Sequence, residues 1–150
     1  VGVPFHTSFT VEGDPVPKPR QTHKDRFNPS PGTLRYRAWA DAARLAATGD
    51  PMKKIEDPFF GILVIAHFQM PESWSQKEKG RHAGRIHQTR PDSDNILKSS
   101  MDSCFQNDSS IAWSQCIKLW CHEDEEPRTD IFLLGEPLHF LAEKKGKKVD

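Results

Sequence analysis

Phe59-Phe60-Gly61-Ile62-Leu63-Val64-Ile65-Ala66-His67-Phe68-Gln69-Met70 is apolar at odd and even positions alike. Successive strand residues face opposite sides of a sheet, so a segment apolar on both sides reads as a central strand. Upstream, Phe5, Thr7, Phe9 and Val11 alternate with His6, Ser8 and Thr10 as a second strand, ended by Gly13-Asp14-Pro15. Pro15 to Pro31 is too proline-dense for helix and is expected to be an ordered arm. Leu34 to Ala47 reads as a helix with Tyr36, Trp39, Ala43 and Ala46 on its inner face and Arg37, Asp41 and Arg44 outside, stopped by Gly49 and Pro51. Downstream, Pro71 to Gln88 reads as a mobile polar loop. Asn95 to Phe105 reads as a helix with Leu97, Met101, Cys104 and Phe105 as its apolar face. Ile111 to Cys121 and Thr129 to Leu134 read as strands separated by Pro127. This order implies a single α+β domain over residues 1–134, a mixed or antiparallel sheet with two main helices, and a flexible lysine-rich tail over 135–150.

The chain of 150 residues fits one domain of ordinary size. Hydrophobic residues are 35% and charged residues 28%, yet four Trp and nine Phe supply a core. The longest apolar run, Ile62 to Ala66, is five residues, against about 20 for a membrane helix. Three cysteines (Cys104, Cys116, Cys121) without C-x-x-C spacing, and an N-terminus without a basic-then-apolar leader, point to a reducing, cytoplasmic setting. The 21 basic and 21 acidic residues cancel but are segregated. Pro17 to Arg44 carries seven bases against two acids, whereas Cys121 to Glu136 carries six acids and one base. A basic segment makes a local phosphate-binding field; its bland alternative is a solvated face.

Arg90-Pro91-Asp92-Ser93-Asp94-Asn95-Ile96-Leu97-Lys98 carries the most chemistry. Pro91 keeps Arg90 out of the helical region, so the chain arrives extended. In an extended segment Asp92 and Asp94 would share one side, and two such carboxylates repel unless one is protonated or a cation sits between them. A hard ion such as Mg²⁺ takes oxygen ligands of this kind. Lys98, one turn on, would hold a phosphate oxygen or steady a carboxylate, and Asp102 follows one turn later. The bland reading is a helix N-cap favoured by the dipole, but a cap needs one Asp, not two. Asn107-Asp108-Ser109-Ser110-Ile111 is ordinary turn chemistry, and Asp108 matters only if the corner returns toward Asp92, where a third carboxylate would complete a metal cage. The seven histidines show no H-x-x-x-H pair, and no nucleotide-binding or serine-hydrolase motif is present.

These blocks together resemble the RusA family of Holliday junction resolvases, over roughly residues 9–133. Gly13-Asp14-Pro15-Val16-Pro17-Lys18-Pro19-Arg20-Gln21 resembles the family arm G-x-P-x-P-K-x-R-x. Tyr36 and Trp39 fit its first helix, and Met70-Pro71-Glu72-Ser73-Trp74-Ser75 resembles its M-P-x-S-W-S. Arg90 to Lys98 with Asp102 resembles K/R-P-D-x-D-N-x-x-K-x-x-x-D. Asn107 to Ile111 stands where the family has D-D-S-Q-I, with Asn107 replacing the first Asp and Ser110 the Gln. Lys118 falls at a later family lysine, and Glu126-Pro127-Arg128-Thr129 resembles E-P-R-T.

The resemblance implies a homodimeric, Mg²⁺-dependent endonuclease (Mn²⁺ substituting) that cuts four-way DNA junctions symmetrically, in a bacterial or phage-infected cell. It implies Asp92, Asp94 and Asp108 as metal ligands and Lys98 as the catalytic lysine. The basic residues Lys18, Arg20, His23, Lys24, Arg26 and Arg90 are expected on the DNA backbone, with Arg81 and Arg85 as further candidates. Neither a membrane nor a nucleotide cofactor is expected. Three other readings remain open at this point: a non-catalytic nucleic-acid-binding module whose carboxylates are only caps, a metal-dependent nuclease for flaps, single strands or other branched DNA, and a small structural protein whose charge pattern is only a solvated surface.

Overall fold

The computed structural model describes residues 5–20, 22–57 and 59–135. Seven principal elements follow in order: β1 Phe5–Glu12, α1 Pro31–Thr48, β2 Gly61–Phe68, α2 Gln76–His82, α3 Ser93–Cys104, β3 Trp113–Trp120 and β4 Arg128–Leu134. Short 3-10 turns occupy His23–Arg26 and Asp108–Ser110. The four strands lie in the order β1-β4-β2-β3, with β2 central as its two apolar faces require. β2 and β3 run parallel while the other pairs are antiparallel, so the sheet is mixed. A parallel pair needs a long crossover, and α2 and α3 fill it.

α1 and α3 pack against each other on one face of the sheet. Beneath them lie Val11, Ile62, Val64, Ala66, Ile131 and Leu133, together with Trp39, Ala43 and Ile96. Burying one such large aliphatic side chain stabilises by about 1.5–3 kcal/mol, so this layer holds the helices to the sheet. Gly61 starts β2 under the Leu134 side chain of β4, since a Cβ there would stand 2.7 Å from Leu134 Cδ1. Among the described residues, no helix is long and apolar enough to cross a membrane.

Three expectations need correction. The stretch 71–88 is not a featureless loop, for Ser75 caps α2 by accepting from Glu78 N at 3.2 Å. Trp74 packs tilted against His82 and edge-to-face with Trp120, with ring centroids 4.5 and 5.0 Å apart. Gly84 to His87 then pairs along the outer edge of β3, through Gly84 N to Trp120 O at 2.8 Å and His87 N to Lys118 O at 3.0 Å. Gly84 has φ 72°, and a Cβ there would strike the His122 ring at 2.5 Å. Second, Ala46 of α1 is exposed; its buried face is Thr33, Tyr36, Trp39, Ala40 and Ala43. Third, α3 begins at Ser93 and buries Ile96, Ser99, Ser100, Ser103 and Cys104, with Leu97 and Met101 only partly covered. The buried hydroxyls are satisfied: Ser99 and Ser100 donate to Ile96 O at 2.8 and 3.1 Å, and Ser103 to the Tyr36 hydroxyl at 3.4 Å. Gly135 is buried at the end of β4, and the expected tail beyond it lies outside the described residues.

Candidate active site

The segment Gln88 to Pro91 leads into α3 through a cis Arg90–Pro91 bond. Its anchor is Lys118 on β3, whose ammonium donates to Thr89 O and, at 2.7 Å, to Pro91 O. Asp92 follows as the N-cap of α3, with φ −69° and ψ 144°. Its carbonyl accepts from Asn95 N at 3.1 Å and Ile96 N at 3.3 Å, but its carboxylate makes no capping bond. The cap reading therefore holds for the backbone of Asp92 and fails for its side chain.

Asp94 stands in the first helical turn rather than in an extended stretch. The expectation that it shares a strand side with Asp92 is thus corrected: helix geometry, not i,i+2 alternation, relates them. Both carboxylates and the Lys98 ammonium one turn later are exposed. The positive end of the helix dipole favours anionic charge at this terminus. Asp102, one turn past Lys98, takes its partner from elsewhere, forming an ion pair with Lys18 of the arm. Lys18 N also donates to Asn95 O at 3.0 Å, so main chain and side chain both dock the arm on α3. The hydrogen bond to Asp102 raises the Lys18 pKa despite burial, and Asp108 adds to the rise through its charge.

Asp108 opens the 3-10 turn before β3 and is exposed. Both departures from the family pattern have local work. Asn107 Oδ1 accepts from Ser109 N at 3.0 Å, and Ser110 Oγ donates to Phe59 O at 3.2 Å.

Among the described residues, Asp92, Asp94 and Asp108 form no ion pair with a protein cation, and no group of three His, Cys, Asp or Glu side chains is gathered closely enough to hold a metal. The donor chemistry nonetheless fits a hard divalent ion. Mg²⁺ keeps much of its water and is commonly held by one or two carboxylates plus substrate phosphate oxygens, not by an all-protein cage. Two unpaired carboxylates at one helix start, beside a cleft of about 640 Å³ lined by His87, Gln88, Thr89, Arg90, Asp92, Ser93 and Lys118, match that mode. Thiol chemistry is disfavoured, since burial pushes Cys104 up to about 12 and Cys116 up to about 11.

Of the expected DNA contacts, Arg20, His23, Lys24, Arg26 and Arg90 are exposed. Lys18 is half-buried with its ammonium engaged by Asp102, and Arg81 is bonded to Glu78 at 3.1 Å. Buried Asp25 braces the arm by accepting from Thr22 N at 2.7 Å and Ser30 N at 2.9 Å, bonds that lower its pKa to about 2. Sequence reasoning placed Lys118 in the family pattern without a task; the strand periodicity around it carries no sign of the carbonyls it binds.

The family model described as Endodeoxyribonuclease RusA matches residues 12–133. No curated protein and no solved structure matches the chain.

Proposed function

The chain belongs to the RusA endodeoxyribonuclease family, and from that premise we propose that it is a Mg²⁺-dependent enzyme that resolves four-way DNA junctions as a homodimer, by paired symmetric nicks. Family membership itself implies a Holliday-junction-resolving endonuclease. The observation that carries the finer reading is the Asp92 carboxylate, placed at a helix cap and left uncommitted by it.

Asp92 and Asp94, with Asp108 from the neighbouring corner, would hold Mg²⁺, and Mn²⁺ is expected to substitute. When bound, the ion supplies Lewis-acid polarisation of the scissile phosphate and a lowered pKa for a water. Lys98 presents its ammonium one turn below Asp94, where it balances charge developing on the phosphate. Water opens the phosphodiester to leave a 5′-phosphate and a 3′-hydroxyl. Arg20, His23, Lys24 and Arg26 grip the backbone from an arm that the Lys18–Asp102 pair fastens to the catalytic helix. A twofold dimer matches the junction's own symmetry and delivers two nicks.

The test is nicking of a synthetic four-way junction beside a flap and a linear duplex. Cleavage of the junction in Mg²⁺, its loss in EDTA, and its loss in Asp94→Asn are expected. Full activity of Asp94→Asn defeats the site assignment, and preference for the flap defeats the substrate assignment. Among the described residues no three such ligands converge, and that favours one second reading, a junction-binding module without chemistry. Such a module would bind equally well in EDTA and never cut.

A further inference from the structure

We propose that Lys118 is a positioning residue for this site: its ammonium straps Thr89–Pro91 to β3 and so fixes where the Asp92 carboxylate stands. The inference rests on the metal-binding reading of Asp92 and Asp94.

Lys118 sits inside β3, in parallel register with Ala66 of the central strand, so its backbone has little freedom. One residue grips the approach to α3 twice. Its carbonyl accepts from His87 N at 3.0 Å, and its Nζ donates to Thr89 O and Pro91 O. The ladder behind it continues through Trp120 N to Arg85 O at 2.9 Å. Among the described residues, no other hydrogen bond from elsewhere in the fold reaches 88–91. Thr89 N makes only a local 3.4 Å contact with His87 Nδ1. The residue after Pro91 is Asp92, so the strap ends where the expected ligands begin.

An ammonium has three donors, and two are spent on these carbonyls. Hydrogen bonds from a charged donor are shorter and stronger than neutral ones, which suits a loop that, among the described residues, has no other tether from elsewhere in the fold. Methionine at 118 keeps the length of the apolar stem and removes every donor. Arginine keeps several donors in a different geometry. The partners that orient metal ligands typically set affinity by about 10–100-fold. The rival role for Lys118 is direct contact with a DNA phosphate through its remaining N–H, and it predicts a different pattern.

Mn²⁺ binding without DNA is measured by calorimetry on the full chain, for wild type, Lys118→Met and Lys118→Arg. Three further quantities are read beside it: the Mg²⁺ concentration for half-maximal junction cleavage, junction affinity in EDTA, and Tm. The Met variant is expected to need roughly 10–100-fold more of either ion, with junction affinity in EDTA near wild type, and the Arg variant to recover most of the loss. A Met variant with wild-type Tm and an unchanged ion requirement overturns the proposal. So does a fall in EDTA junction affinity at unchanged ion requirement, which assigns the ammonium to phosphate. If Lys118→Met fails to fold, Lys118→Leu, which likewise removes every donor, is read by the same criteria. A wild-type chain that cleaves in Mg²⁺ beside an unaffected variant sinks the strap alone; a wild-type chain that neither cleaves nor binds Mn²⁺ sinks the strap and the metal reading together.

Discussion

α1 and α3 enter their first turns in nearly the same backbone conformation and use their capping residues in opposite ways. Ser30 precedes α1 at φ −65°, ψ 159°, and its hydroxyl accepts from Thr33 N at 3.2 Å. Asp25 adds a second brace by accepting from Ser30 N at 2.9 Å. Asp92 precedes α3 at φ −69°, ψ 144°, with a side chain equally able to cap, and does not. Support for that entry comes from Lys118 instead. At α1 the polar side chains are consumed by the fold. At α3 the entry is held from outside, and the Asp92 carboxylate makes no bond to the helix it precedes.

Paired substitutions break or sharpen this contrast. Asp92→Asn should lower Mg²⁺-dependent junction cleavage by about a thousandfold, because a metal clamp supplies several kcal/mol of transition-state stabilisation. Asn is as acceptable an N-cap as Asp, so the melting temperature should barely move. Ser30→Ala should do the reverse, costing about 1 kcal/mol of stability and leaving cleavage intact well below the melting temperature. Parallel melting and cleavage assays decide. If Asp92→Asn loses as much stability as Ser30→Ala and keeps its activity, the two caps are alike and the contrast is lost.

A smaller effect is expected on the α1 side, where the braced arm still presents free cations. Replacing Arg20 and Lys24 by Ala should weaken junction binding in EDTA and reduce the slope of log affinity against log salt by about 0.9 for each contact removed. An unchanged slope takes those residues off the DNA. Lys18→Ala is a different experiment, since it also frees Asp102 and removes the side-chain half of the arm's docking on α3.

Much of this was legible in the sequence, and the exceptions share a cause. β2 declares itself by apolarity on both faces, α1 by spacing and by Gly49, which ends it at φ 81°. The signature from Arg90 to Asp102 names the candidate carboxylates. α2 was missed because its local composition is polar and its support is distant: Trp74 packs on Trp120, contributed by β3. The inner face of α3 was read in part: Cys104 and Phe105 are buried as hydrophobic spacing selects, but Leu97 and Met101 are only partly covered, and the spacing passes over three buried serines whose hydroxyls bond Ile96 O or Tyr36. Asp102 was placed near Lys98 by helical spacing and pairs with Lys18 across 84 residues of sequence. The carbonyls that Lys118 binds belong to residues 27 and 29 positions away. Contacts at such separation leave no periodicity to read.

The smallest expected effect concerns the approach to α3 itself. His87 is 3% exposed and lies between Phe68 and Trp120, its ring centroid 4.5 and 3.9 Å from theirs. Burial lowers its pKa from the ordinary 6.5, and the Lys118 charge lowers it further. Above 6.5 the imidazole is neutral in folded and unfolded chains alike, and stability owes nothing to its titration. As pH falls below 6.5 the unfolded chain takes up a proton that the folded one refuses, so stability drops until the folded pKa is reached. One such proton gives a slope of at most about 1.4 kcal/mol per pH unit. Phe at this position would occupy the same aromatic slot without a proton to bind. Melting curves of wild type and His87→Phe across pH 5–7 should therefore diverge toward acid, with the variant flatter. Parallel curves would mean that His87 is free to protonate in place, and that the α3 approach is less sheltered than its packing implies.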